Sequence, residues 1–120
     1  MSYNLTYDSE TGCVILRIQG RVTMKLIQEL APQVARMFRE TKCQRLLNDM
    51  STAVIDVSFM DVYGSPKAMD ESGITRDIRR ALVVPSDFKQ SEFLETVTRN
   101  RGHDLRIFTD VDEAKRWLLS

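Results

Sequence analysis

Polar and apolar positions along this chain change period several times, and each change marks a predicted element. Tyr3, Leu5 and Tyr7 alternate with polar neighbours, the period of two that a half-buried strand requires. Asp8-Ser9-Glu10-Thr11-Gly12 supplies turn chemistry, after which Cys13–Gln19 alternates again with Val14, Leu16 and Ile18 on one face. The two runs predict an antiparallel hairpin whose second strand ends at Gly20. Thr23 is placed to cap a helix reaching about Glu40, in which Ile27, Leu30, Val34, Met37 and Phe38 recur at helical spacing and turn one stripe to a core. Pro32 lies inside that segment and lacks an N–H, so a kink or a split is expected there.

Beyond the helix, Arg45-Leu46-Leu47-Asn48 predicts a short third strand ending at Asp49. Residues 50–79 mix signals. Ser58 with Asp61 has the spacing of a capping box ahead of Phe59, Met60 and Tyr63. Gly64-Ser65-Pro66 then interrupts, and Ser65 with Pro66 suits the N-cap and first position of a second helical piece, so a broken helix is expected. Arg80–Val84 reads as a strand of the fully buried type, stopped by Pro85. Asp87 and Gln90 then offer a cap for a helix carrying Phe88, Phe93, Leu94 and Val97 and closed by Gly102. Leu105–Phe108 is a fifth strand, and Asp110 with Glu113 caps a last helix whose Ala114, Trp117 and Leu118 share a face. The order is ββαβαβαβα: an α/β fold with a mixed five-stranded sheet, first strand antiparallel and the rest mainly parallel, packed with about four helices. No repeat, low-complexity tract or linker interrupts it, so one domain over residues 1–120 is expected.

Composition narrows the classes of function. Lys plus Arg and Asp plus Glu both number 17, a formal net charge of zero. A dedicated nucleic-acid binder relies on surplus positive charge, so that class is disfavoured. Cys13 and Cys43 match no metal or redox spacing; two free thiols suit a reducing cytoplasm, with a 13–43 disulfide as the alternative. The first residues lack a signal pattern and the longest apolar runs are too short to span a bilayer, so a cytoplasmic protein without a transmembrane segment is expected.

Candidate chemistry is sparse. His103 is the only histidine and falls in the polar stretch Asn100-Arg101-Gly102-His103-Asp104, which reads as an exposed turn with no nucleophile nearby. One His and two distant Cys make no metal site, no cofactor motif is present, and no catalytic residue is assigned. Asp49, Asp56, Asp61, Asp70 and Glu71 read as a solvated acidic face. Arg79, Arg80 and Arg101 are candidates for an anion-binding patch. Met50, Phe59, Met60, Tyr63 and Met69 are candidates for a ligand or partner surface, because methionine-rich surfaces adapt to varied apolar shapes.

Four stretches together resemble one family: Ile18-Gln19-Gly20-Arg21-Val22-Thr23, Arg45-Leu46-Leu47-Asn48-Asp49, Arg80-Ala81-Leu82-Val83-Val84, and the C-terminal run Arg106–Leu118. Over nearly its whole length the chain is similar to the SpoIIAA-like group of STAS-type domains, also described as STAS/SEC14-like. The resemblance implies a non-enzymatic module that binds a protein partner or itself. In anti-sigma factor antagonists of that group, a Ser or Thr following an Asp, where a central strand meets its helix, is phosphorylated to switch partners. The corresponding stretch here is Asp49-Met50-Ser51-Thr52-Ala53, in which the Asp and Ser are not adjacent, no Gly follows, and Val54–Val57 delays the helix to about Ser58. Ser51, Thr52 and Ser58 are the candidate switch positions that this resemblance implies. Its SEC14-like side implies the alternative role, carrier or sensor of a small apolar, lipid-like ligand in a groove near residues 50–75. Asp49 or Asp56 buried beside His103 would revive an enzymatic reading.

Overall fold

The structure is a computed structural model describing residues 2–120. β1 (Ser2–Asp8) and β2 (Cys13–Thr23) pair antiparallel from Ser2↔Gln19 to Asp8↔Cys13. β3 (Arg45–Asp49), β5 (Arg79–Val83) and β6 (Asp104–Phe108) extend the sheet by parallel pairing, in the spatial order β1-β2-β3-β5-β6. The sheet has a sixth strand beyond the five expected: β4 (Ala53–Asp56) also pairs parallel with β2. β2 consequently does not stop at Gly20 but runs on to Thr23, with Gly20 opposite Ala53 and Thr23 opposite Asp56.

β3 and β4 lie end to end along the same edge of β2. Partner separation in sequence grows by one residue between the two ladders, Val14↔Leu46 in the first and Gly20↔Ala53 in the second. The intervening residues Met50–Thr52 absorb one extra residue, as in a β-bulge. The Met50 N–H donates to the Val83 carbonyl at 2.8 Å, and the Ala53 N–H donates back to the Met50 carbonyl at 3.0 Å.

Side chains alternate across the sheet, so each strand feeds two cores. On one face Val14, Leu16, Ile18, Val22, Leu46, Leu82 and Leu105 meet α1 (Met24–Thr41), α2 (Phe59–Ser72) and α3 (Ser91–Asn100). On the other, Cys13, Leu47, Ala81 and Val83 meet α4 (Val111–Leu118) through Ala114 and Leu118. Cys13 and Cys43 are buried free thiols.

Three helices are capped as the sequence predicts. Thr23 Oγ1 accepts from the Leu26 N–H at 3.2 Å, Ser58 and Asp61 form a reciprocal capping box at 2.9 and 3.0 Å, and Asp110 accepts from the Asp112 N–H at 2.9 Å. α3 departs. It starts at Ser91, with Gln90 in the cap position making no side-chain cap bond, because Pro85–Phe88 closes its own turn through the Phe88 N–H and the Pro85 carbonyl.

Neither internal proline breaks its helix. α1 continues through Pro32, whose ring lies exposed on the solvent side of the helix. α2 is one helix rather than two, and the reason is local: Pro66 cannot donate to the Val62 carbonyl, and the Ser65 hydroxyl donates to it instead at 2.9 Å. Ser65 is therefore not an N-cap but a substitute donor within a continuous helix. Ser65→Ala is expected to lose about 1 kcal/mol in urea unfolding, the usual worth of such a bond. In a Pro66→Ala background, where residue 66 regains its own N–H, the same Ser65→Ala change is expected to cost little; an equal cost in both backgrounds would refute the substitution.

Candidate functional site

The sheet face covered by α1, α2 and α3 does not pack solid. A cavity of about 110 Å³ lies between them, walled almost wholly by apolar atoms of Ile18, Val22, Leu30, Met50, Met69 and Leu105 among others. Two polar side chains reach it from the strands, Asn48 of β3 and Arg80 of β5. Their positions follow from strand alternation: Asn48 shares a face with Leu46, and Arg80 with Leu82. Because Leu46 sits opposite Arg80 and Asn48 opposite Leu82, the two polar residues are diagonal neighbours on adjacent strands.

Arg80 is only 6% exposed, and its Nε and Nη2 atoms are buried with no hydrogen-bond partner. Desolvation pulls its pKa down to about 10, opposed by the negative charge of Asp70, so the side chain is still a cation at neutral pH. The Asn48 Oδ1 is likewise buried and unpartnered.

Next to this pair stands His103, expected as an exposed turn residue and instead 3% exposed. The polar stretch 100–104 does turn, with Gly102 at φ +88, but the turn tucks the ring inward against α2. His103 Nε2 lies 2.8 Å from Asp70 Oδ1, whose other oxygen is 3.8 Å from Arg76. Burial, then the Arg80 charge, depresses the imidazole pKa below its ordinary value; Asp70 opposes both. The neutral ring accordingly donates Nε2–H to Asp70 and leaves Nδ1 as a buried acceptor without a partner. No hydroxyl or thiol hydrogen-bonds to it among the described residues. The carboxylate beside His103 is thus Asp70, not Asp49 or Asp56, and the pair lacks a nucleophile.

The other predicted residues are distributed as follows. Arg79 and Arg80 occupy opposite faces of β5; Arg79 stacks on Trp117 with its guanidinium carbon 4.0 Å from the ring centroid and donates to the Trp117 carbonyl at 2.7 Å. Arg101 is exposed at the end of α3. The three arginines do not converge, since adjacent strand residues point apart. The acidic residues are not one solvated face: Asp49 is buried and bonded to Arg17 at 3.3 Å, Asp56 pairs with Arg21, Asp61 caps α2, and Glu71 lies 3.9 Å from Lys67.

Ser51 follows β3 and precedes β4, so it stands at no helix N-terminus. Its hydroxyl and its N–H both donate to Asp49 Oδ1, at 2.7 and 3.0 Å. Thr52 is exposed beside it, and Ser58 is the α2 cap. The five apolar candidates divide between the core and the surface. Met50 and Met69 are buried against the cavity, whereas Phe59, Met60 and Tyr63 are 59%, 71% and 65% exposed. Phe59 stacks on Phe93 of α3 with ring centroids 4.2 Å apart. Among the described residues no cluster of His, Cys, Asp or Glu would hold a metal ion, and no helix is long and apolar enough to cross a membrane.

The sequence did carry one signal for the buried cluster. In Arg80-Ala81-Leu82-Val83-Val84 the arginine occupies the same face as Leu82 and Val84, a position where a charge must be paired or sequestered.

This sheet order, with an antiparallel first pair, parallel remainder and helices on both faces, defines a SpoIIAA-like α/β fold. Solved structures of that fold superpose on nearly the whole chain. An uncharacterized protein of the DUF3478 family with a SpoIIAA-like fold, from Shewanella loihica PV-4, aligns with TM-score 0.60 at 13% identity, covering 98% of this chain and 92% of that one. The anti-sigma factor antagonist SpoIIAA in its unphosphorylated form aligns with TM-score 0.55 at 12% identity, over 97% of both chains. The Bacillus cell fate determinant SpoIIAA in the phosphorylated form gives 0.55 at 12% identity, over 97% and 99%. No protein-family model and no curated protein matches the sequence.

The depressed His103 pKa fixes the sign of a pH effect. Between the folded value and the ordinary 6.5 the unfolded chain binds more protons, so this contribution is complete above about pH 6.5 and is lost as pH falls through that window. Urea melts at pH 7.5 and pH 5 are expected to show a larger loss for the wild type than for His103→Gln. Equal losses would contradict the assignment.

Proposed function

We propose that this chain is a non-enzymatic regulatory domain that binds a protein partner, or a second copy of itself, through the outer face of α2. The observation that carries the reading is the exposure of Phe59, Met60 and Tyr63 together on the first turns of that helix, while Val62, Pro66 and Met69 hold its inner face. Large apolar side chains grouped on a surface mark an interaction site more often than single scattered ones do. The SpoIIAA-like fold supports the same reading, since one protein of that fold is an anti-sigma factor antagonist. Two buried free thiols fit a reducing compartment such as the cytoplasm.

The phosphorylation switch implied by the resemblance has less support at Ser51. A phosphate there would bring about two negative charges against the Asp49 carboxylate that now accepts from the hydroxyl.

A photo-crosslinking side chain placed at Met60 or Tyr63 in the producing cells is expected to trap one defined protein species. The same group at Asn4, on the far side of the sheet, is expected to trap none. Met60→Glu with Tyr63→Glu should abolish the crosslinked species and leave urea stability within about 0.5 kcal/mol, as for most exposed positions. Equal yields at all three positions would refute α2 as the docking face.

A second reading is favoured by the cavity: the chain carries or senses a small apolar ligand between the sheet and α1–α3. Its size argues for a compact ligand. An apolar cavity of about 150 Å³ accommodates a benzene ring, so about 110 Å³ sets one ring as the upper limit for the apolar body and is too small for an extended acyl tail.

A further inference from the structure

Arg80, which lines the apolar cavity, forms no ion pair at contact distance among the described residues. We infer that the cavity is a binding site for a small organic monoanion with an apolar body, held by Arg80 and Asn48. This inference rests on the second reading above and adds to it the charge of the ligand and the residues that select it.

Three observations carry the assignment. Arg80 lines the cavity, is 6% exposed, and has its Nε and Nη2 buried without hydrogen-bond partners. These two nitrogens lie on one edge of the planar guanidinium, the edge that takes a carboxylate in two parallel hydrogen bonds. Asn48, diagonal to Arg80 on the neighbouring strand, lines the same cavity, and its side-chain oxygen is likewise buried without a partner. Rotation of that amide by half a turn exchanges the oxygen for an NH₂ donor, which would serve the second carboxylate oxygen.

The alternatives account for less. A purely structural arginine would be paired, because a buried guanidinium without partners destabilises the fold. Asp70 is not that partner: it is engaged with His103 at 2.8 Å and with Arg76 at 3.8 Å, and it forms no ion pair with Arg80. An inorganic anion alone would leave the rest of the space empty. Its walls are side chains such as Ile18, Leu30 and Met69, which favour hydrocarbon.

The test uses the whole chain and three probes: benzoate (anion with an apolar body), toluene (body alone) and inorganic phosphate (anion alone), each titrated by calorimetry and by ligand-observed NMR. Benzoate is expected to bind the wild type at least about tenfold more tightly than toluene, since charge-assisted hydrogen bonds to a desolvated cation exceed what the ring alone provides. Phosphate is expected not to bind. Arg80→Met, which fills similar space without charge, should reverse the preference to toluene over benzoate and raise the melting temperature of the ligand-free protein. If that variant does not fold, the wild-type ratio of benzoate to toluene decides the matter alone. Equal affinity for benzoate and toluene would overturn the role of Arg80 while leaving the apolar-ligand reading intact. Binding of neither would overturn both.

Discussion

A buried sheet face tolerates polar groups only where each finds a partner, because desolvation removes the water that would otherwise satisfy it. β5 meets this requirement at Leu82 and Val84 and departs from it at Arg80, on the same face. The arrangement around that residue follows from the departure. Asp70 on α2 supplies the opposing charge, His103 just before β6 is kept neutral by burial and the Arg80 charge and oriented by Asp70, and Arg76 lies near the far oxygen of the same carboxylate. α2 is thereby tied to the β6 side of the sheet by a polar contact as well as by packing.

Continuity of α2 is the second requirement. Its inner face carries Val62, Pro66 and Met69 to the cavity, and its outer face carries Phe59, Met60 and Tyr63 to solvent. A helix broken at Pro66 would separate Asp70 from the residues that seat the first turns. The Ser65 hydroxyl on the Val62 carbonyl preserves the continuous helix at the point where the backbone lacks a donor. One helix therefore contributes to both binding readings, a partner outside and a small ligand inside.

The fold was largely legible in the chain because its strands are short runs with clean period-two or fully apolar patterns, and three of the four caps are local. What escaped were features decided across the chain. β4 has only four residues, Ala53–Asp56, and it becomes a strand because β2 offers an unpaired edge past Gly20. Pro32 and Pro66 look like breaks in sequence, yet both helices continue, and at Pro66 a neighbouring hydroxyl replaces the missing donor. His103 looked exposed because its neighbours Asn100, Arg101 and Asp104 are polar, and its burial depends on Asp70, 33 residues away. The candidate surface residues were chosen by type, and type alone could not separate Met50 and Met69 inside from Met60 outside.

The central claim is that the Arg80 guanidinium is a sequestered, unpaired cation available to a ligand, and its own NMR signal reports this directly. With ¹⁵N-labelled arginine, the Arg80 Nε–H of the free protein is predicted to exchange with water far more slowly than that of exposed Arg101. On saturation with benzoate it is predicted to shift downfield and show cross-relaxation to the aromatic protons. An Arg80 Nε–H that exchanges as fast as Arg101, or that stays unmoved by benzoate, would contradict the account.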